Sequence, residues 1–337
     1  MSKDVNDKLL AGELAVDPVE GAVVIASDVP RIKTVAELLR GGHERANSKF
    51  QRATCGTGNH QLDEATGGLM PGYVWVFGAD TNWGKSSALI MLADENIKKG
   101  KKVLIVSSED DEKIYGDRLL IRRSRVSADN FRKRKLTRQE HDSINKVVAA
   151  GEDSPCFFDA RGRNVDWVVD RVRDLIKEYG IDIVAFDYLQ AFDGDQRHDD
   201  RRMQINYIGR KLTDVCKLNG VSGIIFSQIT VSEGKTHPDK HSIRESRDIS
   251  NAAEVVILGF TPDKPITRNG NILVEANTKC IFLDKNKSGP NKIFIPMPWN
   301  DESACFDAVL DQETVRYQEI TGGAFDDFGD DPQDYAA

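Results

Sequence analysis

Short apolar runs alternate with longer stretches of helical periodicity through the middle of the chain. The runs are rich in β-branched and aromatic residues and read YVWVF, KVLIVS, CFFD, IDIVAFD, SGIIFS and EVVILGF. The stretches between them, such as VDWVVDRVRDLIKEYG, place their apolar residues on one face of a helix. Strands that alternate with helices favour βαβ units, and continuously apolar strands favour burial on both faces. The pattern therefore predicts an α/β fold with a mainly parallel sheet and helices on both faces.

The pattern changes toward both ends of the chain. The runs NILVEANTKCIFLDKN and KIFIPM predict shorter, antiparallel strands after EVVILGF. Residues 1–30 are polar without a sustained period, whereas TVAELLRGGHERAN predicts a helix that a pair of glycines ends. The C-terminal GGAFDDFGDDPQDYAA is polar and acidic, so we expect it to be disordered. The predicted domains are a flexible arm with a linker helix over residues 1–53, an α/β core over 54–300 and an acidic tail over 301–337.

The charge is distributed unevenly along the 337 residues. The net charge of −8 comes from the C-terminal end, since residues 301–337 hold eleven Asp and Glu against one Arg. The preceding residues are slightly basic as a whole and can carry positive patches for a nucleic-acid partner. The sequence has neither an apolar run of membrane-spanning length nor a secretory signal, so we expect a cytoplasmic protein without membrane contact. Five cysteines without C-x-x-C spacing predict buried thiols rather than a disulfide or zinc framework.

The segment VWVFGADTNWGKSSALIM combines a strand, a turn and a helix in the order of a phosphate-binding loop (P-loop). Backbone N–H groups of such a turn point at phosphate oxygens, and the helix N-terminus adds its dipole. The strict G-x-x-x-x-G-K-[ST] pattern has a glycine where this chain has Ala79, whose methyl group is compatible with the turn if φ stays negative. Lys85 would contact the β- and γ-phosphates and the Ser86 hydroxyl would bind Mg²⁺, which predicts ATP and Mg²⁺ as cofactors. The predicted nucleotide-contacting residues are Asp80, Thr81, Asn82, Trp83, Gly84, Lys85, Ser86 and Ser87.

Three further polar residues stand where predicted strands end. Asp187 ends IDIVAFD, Glu109 follows KVLIVS, and Gln228 ends SGIIFSQ. Because open α/β sheets bind ligands at the carboxyl ends of their strands, we expect these side chains to lie near the phosphates. Asp187 would hold Mg²⁺, Glu109 would orient or deprotonate the attacking water, and Gln228 would sense the γ-phosphate. Each residue alone also fits an ordinary loop, but three beside a P-loop favour a catalytic site.

Several segments resemble those of DnaB-like replicative helicases and occur in the same order. They are TGNHQLDEATGGLMPGYVWVFGADTNWGKSS, KVLIVSSED, IDIVAFDYLQ, GIIFSQ, SIRESRDISNAAEVVIL and LDKNKSGP, which together cover roughly residues 55–298. DYLQ, RES and K-x-K-x-G-P are the more specific signals, since all RecA-like ATPases share the P-loop. Members of this family also tolerate a residue other than glycine at the position of Ala79. The resemblance implies a RecA-like P-loop NTPase core, a hexameric ring with ATP between neighbouring subunits, and one DNA strand in the pore.

The resemblance also implies roles for particular residues. Lys285 and Lys287 match two basic residues that one subunit inserts into its neighbour's ATP site, where they stabilise the transition state. Arg244 and Glu245 match the pore segment that follows the DNA backbone, and AELLRGG resembles the linker helix that docks on an adjacent subunit. Two positions depart from the family: Lys287 replaces an arginine finger and loses its bidentate fork, and Arg247 replaces a glycine of the pore segment. The few residues before the linker helix leave no room for a helical collar domain, so we expect a compact, bacteriophage-type member.

Charged segments outside these motifs have competing interpretations. The stretch 118–138 holds nine Lys and Arg and one acidic residue, and its position favours a solvated helix face or subunit contact over a DNA site. Two loops lie at the expected pore, DGDQRHDDRRMQ after IDIVAFDYLQ and TVSEGKTHPDK after Gln228. Neither loop offers an aromatic platform for bases, so we expect contacts to DNA phosphates. The candidates in these loops are Arg201, Arg202, Lys235 and Lys240. The tail fits either a docking peptide for primase, polymerase or single-strand-binding protein, or a solubilising end.

The sequence as a whole favours an ATP-driven ring helicase that translocates on single-stranded DNA and unwinds the duplex, in the 5′ to 3′ direction by resemblance. One alternative is a RecA- or RadA-like recombinase that forms filaments on DNA. Another is a nucleotide-switched scaffold that loads other proteins. DYLQ, RES and K-x-K-x-G-P lie closer to the helicase pattern, and a scaffold that only binds nucleotide would not require Glu109.

Overall fold

The computed structural model divides the chain into two units, Met1–Gln51 and Arg52–Ala337. The described residues are 14–16, 23–25, 34–36, 38–40, 43, 55–80, 82–151, 156–194, 200–229, 237–239, 242–243, 247–268 and 270–309. In the first unit, strands β1 (Leu14–Val16) and β2 (Val23–Ile25) pair antiparallel. Residues 35–36, 38–40 and 43 are helical as predicted, and the apolar side chains of Val35, Leu38 and Leu39 are exposed. The β1–β2 pair was not predicted, because strands of three residues give no periodic signal.

The second unit is built on an eight-stranded sheet. Its strands are β3 (Val74–Ala79), β4 (Val103–Ser107), β5 (Phe157–Asp159), β6 (Ile183–Asp187), β7 (Ser222–Gln228), β8 (Val255–Phe260), β11 (Cys280–Asn286) and β12 (Ile293–Pro296). Their order is β12-β11-β8-β3-β7-β6-β4-β5, with β11 and β12 antiparallel at one edge and the other six parallel. Two small antiparallel pairs complete the strands: β9 (Ile266–Arg268) with β10 (Asn271–Val274), and β13 (Trp299–Asn300) with β14 (Cys305–Phe306). The predicted mainly parallel α/β sheet, including its antiparallel end, is confirmed.

Helices cover both faces of the sheet. They are α1 (His60–Thr66), α2 (Lys85–Ile97), α3 (Glu112–Ser124), α4 (Ala128–Lys133), α5 (Arg138–Ala149), α6 (Val165–Tyr179), α7 (Arg201–Leu218) and α8 (Arg247–Ala252). Alternation along β3 sends Val74 and Val76 into the core beneath α6 and α7, and Trp75 and Phe77 into the core beneath α2. No helix within the described ranges is long and apolar enough to cross a bilayer.

Helix α2 departs from the amphipathic pattern expected of it. Ten of its thirteen residues are buried, including the charged Asp94 and the polar Asn96. The helix contacts α3 and β14 as well as the sheet, so little of its surface faces solvent. Asn96 resolves its burial by hydrogen bonds to the backbone of Gly56, with its Nδ2 donating to the carbonyl at 2.7 Å.

Several arginines of the basic stretch 118–138 form ion pairs and hydrogen bonds within the chain. Arg122 is only 3% exposed and donates to Asp94 at 3.0 Å, to Glu95 at 2.8 Å and to the carbonyl of Phe306. Arg123 donates to the other oxygen of Asp94 at 2.7 Å. Burial raises the pKa of Asp94, but hydrogen bonds from Lys98 and Arg123 outweigh it and hold the pKa below its usual value. These contacts join α2, α3 and the β13–β14 pair, so part of the basic stretch stabilises the fold.

The folded core extends beyond its predicted C-terminal boundary at residue 300. Cys305, Phe306 and Val309 are buried. The backbone N–H of Val309 donates to Gly58 at 3.0 Å, and that of His60 donates back to Val309 at 3.2 Å. The sequence prediction missed these buried apolar residues because acidic residues dominate the C-terminal region. The remainder of the predicted tail, residues 310–337, lies outside the described residues.

We predict that Arg122→Met destabilises the protein by about 1–3 kcal/mol, because Asp94 and the carbonyl of Phe306 each lose a buried donor while Asp94 keeps Arg123 and Lys98. Urea denaturation followed by circular dichroism measures the change. Arg132→Met is the matched control, since Arg132 is exposed and pairs with an exposed Asp129. Equal denaturation midpoints for Arg122→Met and the control would show that the buried network does not stabilise the fold.

Candidate functional site

The P-loop lies between the end of β3 and the start of α2. The backbone N–H of Asp80 donates to Gly259 at 3.2 Å, and that of Trp83 donates to Asp80 at 3.2 Å. The turn uses left-handed backbone angles at Asn82 (φ 65°) and Gly84 (φ 112°). Ala79 is the last residue of β3 and stays extended, so its methyl group does not disturb the turn. Thr81 lies outside the described residues.

The β13–β14 pair packs against the P-loop. A Cβ atom at Gly84 would lie 3.1 Å from ring carbons of both Phe306 and Trp299, so this position requires glycine for space as well as for its φ. The Nζ of Lys279 donates to the carbonyl of Trp83 at 2.5 Å and lies 4.6 Å from the centre of the Trp299 ring. Sequence reasoning missed this support, because Lys279 is 196 residues away from Trp83.

Two of the predicted nucleotide-contacting residues use their side chains for contacts inside the protein. The Trp83 ring is buried, and its Nε1 donates to the carbonyl of Phe260 at 2.9 Å. The Ser87 hydroxyl is buried and donates to the carbonyl of Ala304 at 3.2 Å. These bonds engage the side chains of Trp83 and Ser87 within the protein, and the prediction that the two residues contact the nucleotide stays a prediction. The pattern could not reveal this, because side-chain direction in a turn depends on what packs against it.

Lys85 and two acidic residues from neighbouring strands meet beside the P-loop. The Nζ of Lys85 lies 2.7 Å from Oδ1 of Asp187 and 3.8 Å from Oε2 of Glu109. It also lies 3.8 Å above the ring of Tyr188. Asp187 is fully buried, and its Oδ2 accepts a hydrogen bond of 2.5 Å from the hydroxyl of Tyr115 on α3. The carboxyl ends of β4 and β6 thus deliver both carboxylates to one cation.

This arrangement fits phosphate groups and a hydrated magnesium ion. Lys85 Nζ and Asp187 Oδ1 form an ion pair by distance, yet neither atom makes a well-aligned hydrogen bond to the described residues. Both buried atoms therefore keep hydrogen-bonding capacity for a polar ligand. Mg²⁺ is commonly held by one or two carboxylates together with phosphate oxygens and water, which matches the presence of Asp187 and Ser86 here.

Gln228 is tied to the same site through two residues of DYLQ. It ends β7 opposite Ala79 of β3, and its side chain opposes the rise in the pKa of Tyr188. Gln190 accepts from the backbone N–H of Gln228 at 3.2 Å and donates to Ser227 at 2.9 Å. The structure therefore gathers Lys85, Glu109, Asp187 and Gln228 at one edge of the sheet, as the strand-end pattern predicts. The parts played by Tyr188 and Gln190 were not predicted, although the family signature contains both residues.

Burial and neighbouring charges alter the protonation of the site. Burial raises the pKa of Glu109, and Lys85 opposes this shift while the charge of Asp187 adds to it. Burial also raises the pKa of Tyr188, with further contributions from Glu109 and Asp187. A carboxylate with a raised pKa is a better proton acceptor than an exposed one, which suits the role expected of Glu109.

Lys285 and Lys287 lie at the amino ends of the parallel strands, whereas the P-loop lies at their carboxyl ends. Because β11 is antiparallel to β8, its end at Asn286 pairs with Val255, at the start of β8. The P-loop follows the carboxyl end of β3, the strand beside β8, about 13 Å from the Asn286 end at the usual rise per residue. The Nζ of Lys285 donates to the carbonyls of Ser250 and Asn251 at 2.9 and 2.8 Å, and Lys287 lies 3.5 Å from Glu254. These lysines therefore do not contact the phosphate site of their own chain.

The predicted DNA contacts are only partly described. Arg201 and Arg202 begin α7 and are exposed. Arg201 donates to the carbonyl of Gln190 at 2.5 Å, which links this position to the Gln228 side of the site. Arg247 begins α8. The candidates Arg244, Glu245, Lys235 and Lys240 lie outside the described residues.

Comparison with known proteins finds one matching family model. The model of the DnaB-like helicase C-terminal domain matches residues 55–308. The chain is 26% identical over 243 residues to the replicative DNA helicase DnaC of Bacillus subtilis, covering 69% of this chain and 52% of that protein. The same identity and coverage are found with the replicative DNA helicase DnaB of Geobacillus stearothermophilus. The chain spans about half the length of these relatives.

Two solved structures share the fold. One is an ATPase domain that matches with a TM-score of 0.73 at 20% identity, covering 83% of this chain and 100% of that one. The other is a DnaB-like replicative helicase, studied with its interactions with primase, which has a TM-score of 0.69 at 18% identity and covers 84% of this chain and 68% of that one. Both support the RecA-like architecture of the core.

We predict that Glu109→Gln stabilises the ligand-free protein more at pH 7 than at pH 4. The raised pKa of Glu109 means that its contribution to stability is full below its unfolded pKa and is lost as the pH rises through its folded value. The neutral amide avoids that loss. Melting temperatures of the wild type and the variant across this range measure the effect. Glu64→Gln, at an exposed position of α1, is the control, and parallel pH profiles for all three proteins would contradict the prediction.

Proposed function

Since the chain belongs to the family of DnaB-like helicase C-terminal domains, we propose that it is an ATP-hydrolysing DNA helicase of the replicative type. The observation that carries the proposal is the buried ion pair of Lys85 with Asp187, which stands at the P-loop with Glu109 beside it. In this proposal the energy of ATP hydrolysis drives translocation on single-stranded DNA, 5′ to 3′ by family resemblance, and unwinding of the duplex.

Each residue of the site has a role that follows from its position. Lys85 exchanges Asp187 for the β- and γ-phosphates, since a buried ammonium keeps its charge only with anionic partners. Ser86 and Asp187 would hold Mg²⁺, which neutralises charge on the phosphates when bound. Glu109 accepts a proton from the attacking water, and burial makes it a better base. The backbone N–H groups of the turn and of the first residues of α2 hold the phosphate oxygens.

Gln228 is suited to report the state of the γ-phosphate. Its side chain opposes the rise in the pKa of Tyr188, whose ring lies 3.8 Å from the ammonium of Lys85. Its backbone is held by Gln190, which also accepts from Arg201 at the start of α7. A change at Lys85 thus has a continuous route of contacts toward an exposed arginine, and we propose that Arg201 and Arg202 bind DNA phosphates. Arg244, Glu245, Arg247, Lys235 and Lys240 are proposed for the same surface.

Lys285 and Lys287 are proposed to act on the ATP of a neighbouring subunit. Their position supports this, because they lie at the edge of the sheet away from the chain's own P-loop. A ring of identical subunits would bring this edge of one subunit to the phosphates of the next. Six copies would form the ring, with the exposed apolar side chains of Val35, Leu38 and Leu39 as a further contact between subunits.

The wider setting is proposed from the sequence. ATP and Mg²⁺ are the cofactors, single-stranded DNA is the substrate strand, and the cytoplasm is the location. The acidic C-terminal tail is proposed to dock on a replication partner such as primase, polymerase or single-strand-binding protein.

We predict that Lys85→Ala lowers ATP hydrolysis about 100-fold or more, because the phosphates lose a fixed positive charge. DNA-stimulated phosphate release and strand displacement on forked DNA should fall together. Lys133→Ala, at an exposed position of α4, is the control. Retained hydrolysis in Lys85→Ala would mean that the nucleotide binds elsewhere. Electron microscopy with ATP and single-stranded DNA separates the alternatives, since a recombinase gives open filaments, a loading scaffold gives neither form, and this proposal requires closed rings.

We predict that Lys287→Ala subunits, doped into wild-type rings, lower ATP turnover by more than their share of the subunits. Each variant subunit would remove a cation from the site of a wild-type neighbour. The measurement is the ATPase rate against the fraction of variant in mixed rings, with Lys133→Ala as the doped control. A linear decline that only reflects dilution would contradict action on the neighbour.

A further inference from the structure

We infer that the hydroxyl of Tyr115 positions Asp187 for the metal ion, so that Tyr115 determines how strongly Mg²⁺ supports nucleotide binding. The inference rests on the proposed function, since it takes Asp187 as the carboxylate on the metal side. Tyr115 lies in the first turns of α3 and belongs to none of the motifs of the P-loop or the strand ends.

The contact is short, buried and directed at one carboxylate oxygen. Tyr115 is 4% exposed, Asp187 is 0% exposed, and the phenol Oη donates to Oδ2 at 2.5 Å. The other oxygen, Oδ1, faces the ammonium of Lys85 at 2.7 Å. The two oxygens therefore have different partners, and only the Lys85 partner is one that phosphate groups would draw away.

The hydroxyl is itself held rigidly in place. The Tyr115 ring packs against Phe157 with ring centres 5.1 Å apart. Asp111 caps the N-terminus of helix α3, and its side chain accepts from the backbone N–H groups of Lys113 and Ile114 at 3.1 and 3.2 Å. This cap stands two residues after Glu109, so a single short segment carries both Glu109 and the donor to Asp187.

A hydrogen bond to one carboxylate oxygen fixes the rotation of the carboxylate and therefore the direction of its other oxygen. When Lys85 turns to the phosphates, the bond from Tyr115 keeps Oδ2 occupied and leaves Oδ1 as the acceptor for the metal and its waters. Without the hydroxyl, the Asp187 side chain is free to rotate, so neither oxygen is held in the direction of the metal. Partners that orient a metal-binding carboxylate typically change metal affinity by about 10- to 100-fold, so Tyr115 acts as a positioning residue.

The test measures binding of a fluorescent ADP analogue as Mg²⁺ is titrated, in the full chain. We expect Tyr115→Phe to raise the Mg²⁺ concentration at half-effect roughly tenfold while affinity in EDTA stays that of the wild type. Tyr207→Phe is the matched control, because Tyr207 also donates to an aspartate, Asp166, at 2.7 Å but on the opposite face of the sheet. An unchanged or lowered Mg²⁺ requirement in Tyr115→Phe overturns the inference, as does an equal shift in Tyr207→Phe.

Asp187→Asn in the same titration separates this inference from the proposed function. If Asp187→Asn also leaves the Mg²⁺ requirement unchanged, the metal site itself is elsewhere. If only Tyr115→Phe does so, Asp187 keeps its role and Tyr115 loses the one inferred for it. Should Tyr115→Phe fail to fold, 3-fluorotyrosine at position 115 keeps the ring and makes the hydroxyl a stronger donor. The Mg²⁺ midpoint must then move, and a constant midpoint overturns the inference.

Discussion

The site depends on a positive and a negative charge that share a buried position at one edge of a parallel sheet. Lys85 and Asp187 are carried by adjacent parts of the fold, the start of α2 and the end of β6, and lie 2.7 Å apart. Neither charge would be stable there alone, because removing an ion from water costs far more than most single interactions return. The pair is therefore stable only while the two are together or while an anionic ligand takes the place of one partner. In the proposed function, this requirement would make the site sensitive to phosphate.

Much of the surrounding structure serves to keep these groups in place. The P-loop is supported from behind by Trp299, Phe306 and Lys279, and the hydroxyl of Ser87 holds the start of α2 against the β13–β14 pair. Arg122 then joins α2 to α3, which is the helix that carries Tyr115. The elements that deliver Lys85, Glu109 and Asp187 are thus tied to one another by buried polar contacts as well as by the apolar core.

The two ends of the parallel strands carry complementary parts of the proposed active site. The carboxyl ends of the parallel strands gather the P-loop, both carboxylates and Gln228. Because β11 runs antiparallel to β8, Lys285 and Lys287 lie at the other end of the strands, where they donate to the last carbonyls of α8. A chain built in this way places the P-loop at one end of the strands and the cations of Lys285 and Lys287 at the other, which is the arrangement that the proposed ring of repeated subunits would combine.

The strands of the eight-stranded sheet, the long amphipathic helix α6 and the residues at strand ends could be predicted from the sequence alone. These features depend on local periodicity and on the rule that parallel strands share a carboxyl edge, so Asp187, Glu109 and Gln228 could be grouped before any coordinates were known. Only the tertiary structure decided that Trp83 and Ser87 turn inward, that α2 is buried almost all round, and that Tyr115, Gln190 and Lys279 support the site. Those outcomes depend on contacts between residues far apart in the chain, and side-chain direction at such contacts leaves no period or spacing in the sequence.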